Sequence, residues 1–224
     1  MTDYLDHYCE RITPGFWGEP LNLFSNLAFV IAAVVVWRIY LSQRNKITDH
    51  FWDIKLLIAL FLAIGIGSSL WHIFATSWSL KADTIPILLF INLYLLSCLF
   101  RVFSLSVIAG ISIFAAYHIV NISVQSTLPA DFLNGSIFYL PTWFFLLGIT
   151  FFVWQLRLAG HHYYINALIL FSTALVFRTI DQFICETIAT GTHFIWHLLI
   201  AVTLYLLMRG LLSNTIADKY KAQT

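Results

Sequence analysis

Seven stretches of this sequence run for about 20 residues with almost no charge, which is the length an α-helix needs to cross the hydrocarbon of a bilayer. They cover residues 21–41, 54–75, 83–101, 102–122, 135–156, 163–185 and 192–212. The 224 residues are 60% hydrophobic and only 10% charged, and a soluble domain of that size has nowhere to hide so much apolar surface. The mean hydropathy of +0.82 says the same. An aromatic content of 17%, with eight Trp, suits the belts that side chains form at membrane interfaces. The net charge of +1 leaves no basic footprint for nucleic acid. The expectation is an all-α integral membrane protein, a seven-transmembrane helix bundle forming a single domain over 1–224. Residues 1–19 form an N-terminal outer segment, 20–212 the bundle, and 213–224 a polar, frayed cytoplasmic tail.

The opening "MTDYLDHYCERITPGF" has no basic run leading into an apolar one, so no cleaved signal peptide is expected. The halves show no repeat, which speaks against an inverted-repeat transporter. Nine of the twelve Lys and Arg fall in one set of loops and helix ends: Arg38, Arg44, Lys46, Lys55, Arg101, Arg157, Arg209, Lys219 and Lys221. Only Arg11, Lys81 and Arg178 fall in the other. The larger set belongs on the cytoplasmic side. This expectation puts the N-terminus outside or in a lumen and the C-terminus in the cytoplasm.

Polar residues inside such stretches need a partner or a task. "GSSLWHIFATSWSLKAD" places Ser68 and His72 near the end of the second span and Asp83 at the opening of the third. "GTHFIWHLL" places His193 and His197 at the opening of the seventh. Alternation of seven spans brings all five to one side of the membrane at similar depth. Ser68 and His72 are four apart, as are His193 and His197, so each pair shares a helix face. Two His at i and i+4 offer two ligands to one metal, and His72 would complete a three-His set. Zinc held this way keeps a position for water and lowers its pKa towards about 7. Asp83 would orient that water and move its proton, and Ser68 would donate to a developing oxyanion. The same residues also suit a proton relay or a structural network. The remaining histidines, His7, His50, His118, His161 and His162, read as solvated, interfacial or simple polar contacts. Tyr139 and Pro141 in "FYLPTW" are candidates to line a pocket.

The order and spacing of these motifs resemble the alkaline ceramidases, part of a superfamily of seven-helix membrane hydrolases that includes the adiponectin receptors. The similarity spans nearly the whole chain: "YCE" at Tyr8 to Glu10, "EPLNLFSN" at Glu19 to Asn26, "SSLWH" followed by Asp83, "RTIDQFIC" at Arg178 to Cys185, and "HFIWH". The resemblance implies a zinc amidase that cleaves the N-acyl bond of ceramide to a sphingoid base and a fatty acid, with a membrane lipid as substrate. It implies His72, His193 and His197 as zinc ligands, Asp83 acting on the water and Ser68 supporting the oxyanion. It also implies a Ca2+ site near the N-terminus. Glu10 and Glu19 match its acidic positions, but His7 stands where Asp is expected, beside Asp6, and Ile12 stands where Asn is expected. The other reading of Glu10 and Glu19 is as interfacial carboxylates, Glu19 supporting the start of the first helix. Cys9 and Cys185 both fall on the outer side, and the resemblance suggests a disulfide between them. Arg178 and Asp181, three apart, are expected to pair with each other. A lipid-binding receptor or sensor with a structural metal is the alternative to the enzyme. A proton-coupled transporter would need no metal.

Overall fold

The first apolar stretch folds as two helices rather than one. In the computed structural model, which describes residues 4–5, 7–13, 15–43 and 52–221 and side chains as far as Thr215, α1 (Pro20–Ser25) and α2 (Leu27–Gln43) meet at Asn26. Ser25 Oγ and Asn26 Nδ2 both donate to the Asn22 carbonyl at 2.9 Å. Side-chain donors on a backbone carbonyl compete with the helical ladder and interrupt it. Asp6 and the loop after α2, with Arg44, Lys46 and His50, lie outside the described residues.

The next two helices form a tight hairpin. α3 (Trp52–Phe74) is followed only by Ala75, at φ 47°, and Thr76 before α4 (Ser77–Ser97) begins. Thr76 and Ser79 form a reciprocal capping box that starts α4. Asp83 therefore lies in the second turn of this helix and does not open it, a correction to the sequence expectation. α4 ends in a wide π turn, Cys98–Val102. The following helix, α5 (Val107–Thr127), starts five residues later than the sequence suggests, because Ser104 takes φ 50° and Ser106 caps Ala109 N–H. A single turn at Ser136–Tyr139 leads into α6 (Leu140–Gln155), with Pro141 in its first turn. α7 (His161–Ile180) runs into a turn at Asp181–Ile184, and α8 (His193–Lys221) closes the bundle. The tail expected to fray from 213 continues α8 to Lys221. Ser213, Asn214 and Thr215 direct their side chains to carbonyls four residues back, and Asn214 also reaches Ala159 O, so these polar residues are satisfied within helix.

Among the described residues the fold is all-helical, with seven helices long and apolar enough to cross a membrane. The chain is a multi-pass membrane protein built as a seven-helix bundle. α3 packs on α4 and α7 on α8, while α2 lies against both α3 and α8. The core between them holds Phe29, Phe61, Trp71, Tyr164 and Met208. α5 is peripheral and turns Ile108, Ile119 and Ile122 outward, as lipid-facing residues do. At one end of the bundle Arg101 forms a bidentate pair with Asp53, both bonds at 2.6 Å, with Ser97 adding a third donor. The other end carries the N-terminal segment and the polar residues of the candidate site.

Candidate metal centre and the cavity beside it

Three buried histidines converge at that end. His72 comes from the last turn of α3, and His193 and His197 from the first turns of α8. Their ligating atoms all lie within 4.8 Å of one another. Nε2 of His72 and Nε2 of His197 face each other at 3.3 Å. What the opposite ring nitrogens do fixes the tautomers. Nδ1 of His72 lies 2.5 Å from the Glu19 carboxylate, which can only accept, so Nδ1 carries the proton. Nδ1 of His197 lies 2.7 Å from Ser25 Oγ, whose own proton goes to Asn22 O, so this Nδ1 also donates. Both Nε2 atoms then present lone pairs to the same point. Two lone pairs facing across 3.3 Å repel each other and are complementary to a cation. This donor set fits a metal ion. Carboxylate and hydroxyl partners behind ligating imidazoles are the usual means of orienting them.

His193 is held from a different direction. Its backbone N–H donates to Asp181 Oδ1 at 2.9 Å, beside Thr192 N–H at 2.6 Å, so Asp181 organises the start of α8. The expected Arg178–Asp181 pair is not formed. Arg178 instead donates to Asn134 O at 2.6 Å and lies over the rings of Tyr139 and Trp196. Gly191, at φ 60°, makes the Asp181 contact possible, since a Cβ there would sit 2.2 Å from Asp181 Oδ1 and 2.8 Å from Cys9 Cβ.

The N-terminal segment covers the centre. Tyr8 stacks on His193 with ring centroids 3.9 Å apart, and its hydroxyl accepts from Trp71 Nε1. Burial pushes its phenol well above the ordinary value, so it is a neutral hydroxyl. A disulfide joins Cys9 to Cys185, Leu5 N–H bonds Ala75 O, and Gln182 reaches His7 O. Glu10 accepts from the backbone N–H groups of Leu21 and Asn22, tying the segment to α1. Burial raises the Glu10 pKa, against the pull of those two donors.

A cavity opens from the centre into the bundle. Tyr8, Ser68, Asp83, Arg178, His193 and His197 line its polar end, and Tyr139 also faces it. Its length is apolar, with Ile87, Phe90, Phe145, Leu146 and Leu207 on its walls. Ser68 presents its hydroxyl to the Asp83 carboxyl. Gly67 allows this approach, because a Cβ there would lie 2.1 Å from Ala82 O and 3.2 Å from Asp83 Cα. His72 stands behind the cavity wall rather than on it. The other histidines stay outside this constellation: His118 bonds Asn92 at 2.8 Å, His161 and His162 begin α7, and His7 is exposed.

The residues at the expected calcium position do not fit calcium. This cation takes six to eight oxygen ligands. Both Glu10 oxygens are occupied by backbone N–H groups, and Glu19 is engaged by Asn22, His72 and Arg11. Ile12 is 86% exposed and its side chain carries no oxygen to offer.

Sequence reasoning missed Arg11, Ser25, Tyr8 and Gly191. The spacing of Glu19, Asn22 and Ser25 is the signal that was available for one of them: three polar residues at steps of three, on one helix face at the edge of an apolar span. A comparison with known protein families finds no match, and a comparison with curated proteins finds none either.

Proposed function

We propose that the protein is a zinc-dependent intramembrane amidase that hydrolyses the N-acyl bond of ceramide or a related long-chain lipid amide, releasing a fatty acid and a free amine. The observation that carries this reading is a three-histidine centre at the polar end of a long apolar cavity, with a carboxyl and a hydroxyl beside it. The motif order described above, similar to the alkaline ceramidases, supplies the choice of zinc and of ceramide. Bound zinc would supply Lewis acidity and a water of lowered pKa.

The residues divide the work. Glu19 and Ser25 hold His72 and His197 in the tautomer that offers Nε2. Asp83 takes the proton from the attacking water and delivers it to the departing amine nitrogen. Ser68 donates to the oxyanion that develops on the amide carbonyl. The apolar walls bury the acyl chain and exclude water from all but the polar end. Placing this end outside or in a lumen agrees with the Lys and Arg distribution and with a disulfide at the same end.

The test is metal content and turnover on one preparation. Wild type and His193→Ala, purified in detergent, are analysed for zinc and assayed for fatty-acid release from a panel of N-acyl lipids. The expected result is about one zinc per wild-type chain, lost in the variant together with amide hydrolysis. Zinc without turnover on any amide would favour a lipid receptor instead. Folded protein without metal would point to a proton relay.

A further inference from the structure

Arg11 is an unusual residue to find where it is. Its side chain is 1% exposed and its guanidinium pairs with Glu19, whose side chain is wholly buried. The cation lies 5.5 Å from the Tyr4 ring centroid and 5.9 Å from that of Trp71. A buried charge is expensive unless something opposes it, so neither Arg11 nor Glu19 is there incidentally. The pair leads directly to the centre. Glu19 takes Arg11 on one oxygen, and on the other it takes both Nδ1 of His72 at 2.5 Å and Nδ2 of Asn22 at 2.8 Å. His72 then turns Nε2 towards His197.

We propose that Arg11 is a built-in counter-cation for Glu19, which holds that carboxylate against Nδ1 of His72 so that the three-histidine centre assembles without a divalent cation in the N-terminal segment. Three features of this end of the molecule converge on this. The segment contains two buried carboxyl groups, Glu10 and Glu19, and each needs donors or an opposing charge there. Backbone N–H groups satisfy Glu10, which leaves Glu19 as the one that requires charge. Arg11 supplies it with a permanently charged group, through Nη2 on Glu19 Oε1. Arg11 is thus a positioning residue: it touches neither substrate nor metal and acts through Glu19 on His72. The proposal rests on metal binding at the three histidines and not on amide hydrolysis.

Its test reads metal binding. Full-length wild type, Arg11→Met and Arg11→Lys are stripped of metal in detergent and titrated with Co2+, following the visible ligand-field bands. Each titration is run in chelator-free buffer stripped of calcium and again with millimolar Ca2+. Wild type is expected to bind one Co2+ with the same affinity in both conditions. Arg11→Met is expected to bind it about 10–100-fold more weakly, the usual effect of removing support behind a ligating histidine, with altered bands. Arg11→Lys is expected to recover part of both. Calcium that tightens Co2+ binding to wild type overturns the proposal, and this arm stands even if Arg11→Met fails to fold. Wild-type affinity and bands in Arg11→Met overturn it as well, leaving the metal reading intact. Wild type that binds no Co2+ at all overturns the metal reading, and this proposal with it.

Discussion

The side chains that face Nδ1 of His72 and Nδ1 of His197 differ in kind. Glu19 is charged and buried, whereas Ser25 is a neutral hydroxyl that also donates to Asn22 O. Charge-assisted hydrogen bonds are roughly twice as strong as neutral ones. Glu19→Gln is therefore expected to lower metal affinity by about 10–100-fold, and Ser25→Ala by a smaller factor. Competition against a chelator of known affinity measures both. Equal losses would mean that charge on the Nδ1 acceptor does not matter. The same contrast explains why sequence inspection finds the candidate ligands before their supports. Two His at i and i+4 have a recognisable spacing, while a Glu before a Pro and a Ser inside an apolar run have ordinary roles in any membrane helix.

Helix contact governs the proposed catalytic pair. Ser68 and Asp83 face each other because α3 and α4 close on one another at Gly67, with no room for a Cβ against Ala82 O. Gly67→Ala is expected to push the two helices apart locally, costing about 1–3 kcal/mol of stability. Amide hydrolysis should fall more steeply than metal content, since His72 lies more than a turn away in α3 while Ser68 is the next residue. Metal analysis and turnover on the same preparation separate the two effects; a variant that keeps full activity would remove the pair from the mechanism. The boundaries of α4 show where sequence reading of elements stops. Apolar length announces a span near 83–101, but the true start is set by the Thr76 capping box six residues or more upstream, in a stretch with Trp and Lys that hydropathy alone passes over.

At the scale of the whole molecule, the N-terminal segment is a strap across one end of the bundle. It bonds the α3–α4 turn through Leu5, α1 through Glu10, and the residue that closes the turn after α7 through the Cys9–Cys185 disulfide. That cross-link encloses a loop of 176 residues, and removing such a bridge is expected to cost about 2–5 kcal/mol. Cys185→Ser should lower the melting temperature and release Cys9 as a thiol. If this end faces outwards, a membrane-impermeant maleimide should label that Cys9 in intact cells. Labelling only after the membrane is breached would reverse the proposed orientation.

The sequence by itself determined the solvent, the number of spans and the end at which the polar residues gather. Those properties follow from apolar length and from the alternation of direction, and they do not depend on how helices pack. It also singled out His72, His193 and His197, because helical periodicity puts two of them on one face. Only the tertiary structure decided what stands behind them. Arg11 and Glu19 meet His72 across three separate parts of the chain, Tyr8 reaches His193 only because the strap is tied down, and Asp181 turns from Arg178 to the start of α8. Such contacts depend on the close approach of distant segments, at Gly67 and Gly191 above all, and no local spacing encodes it.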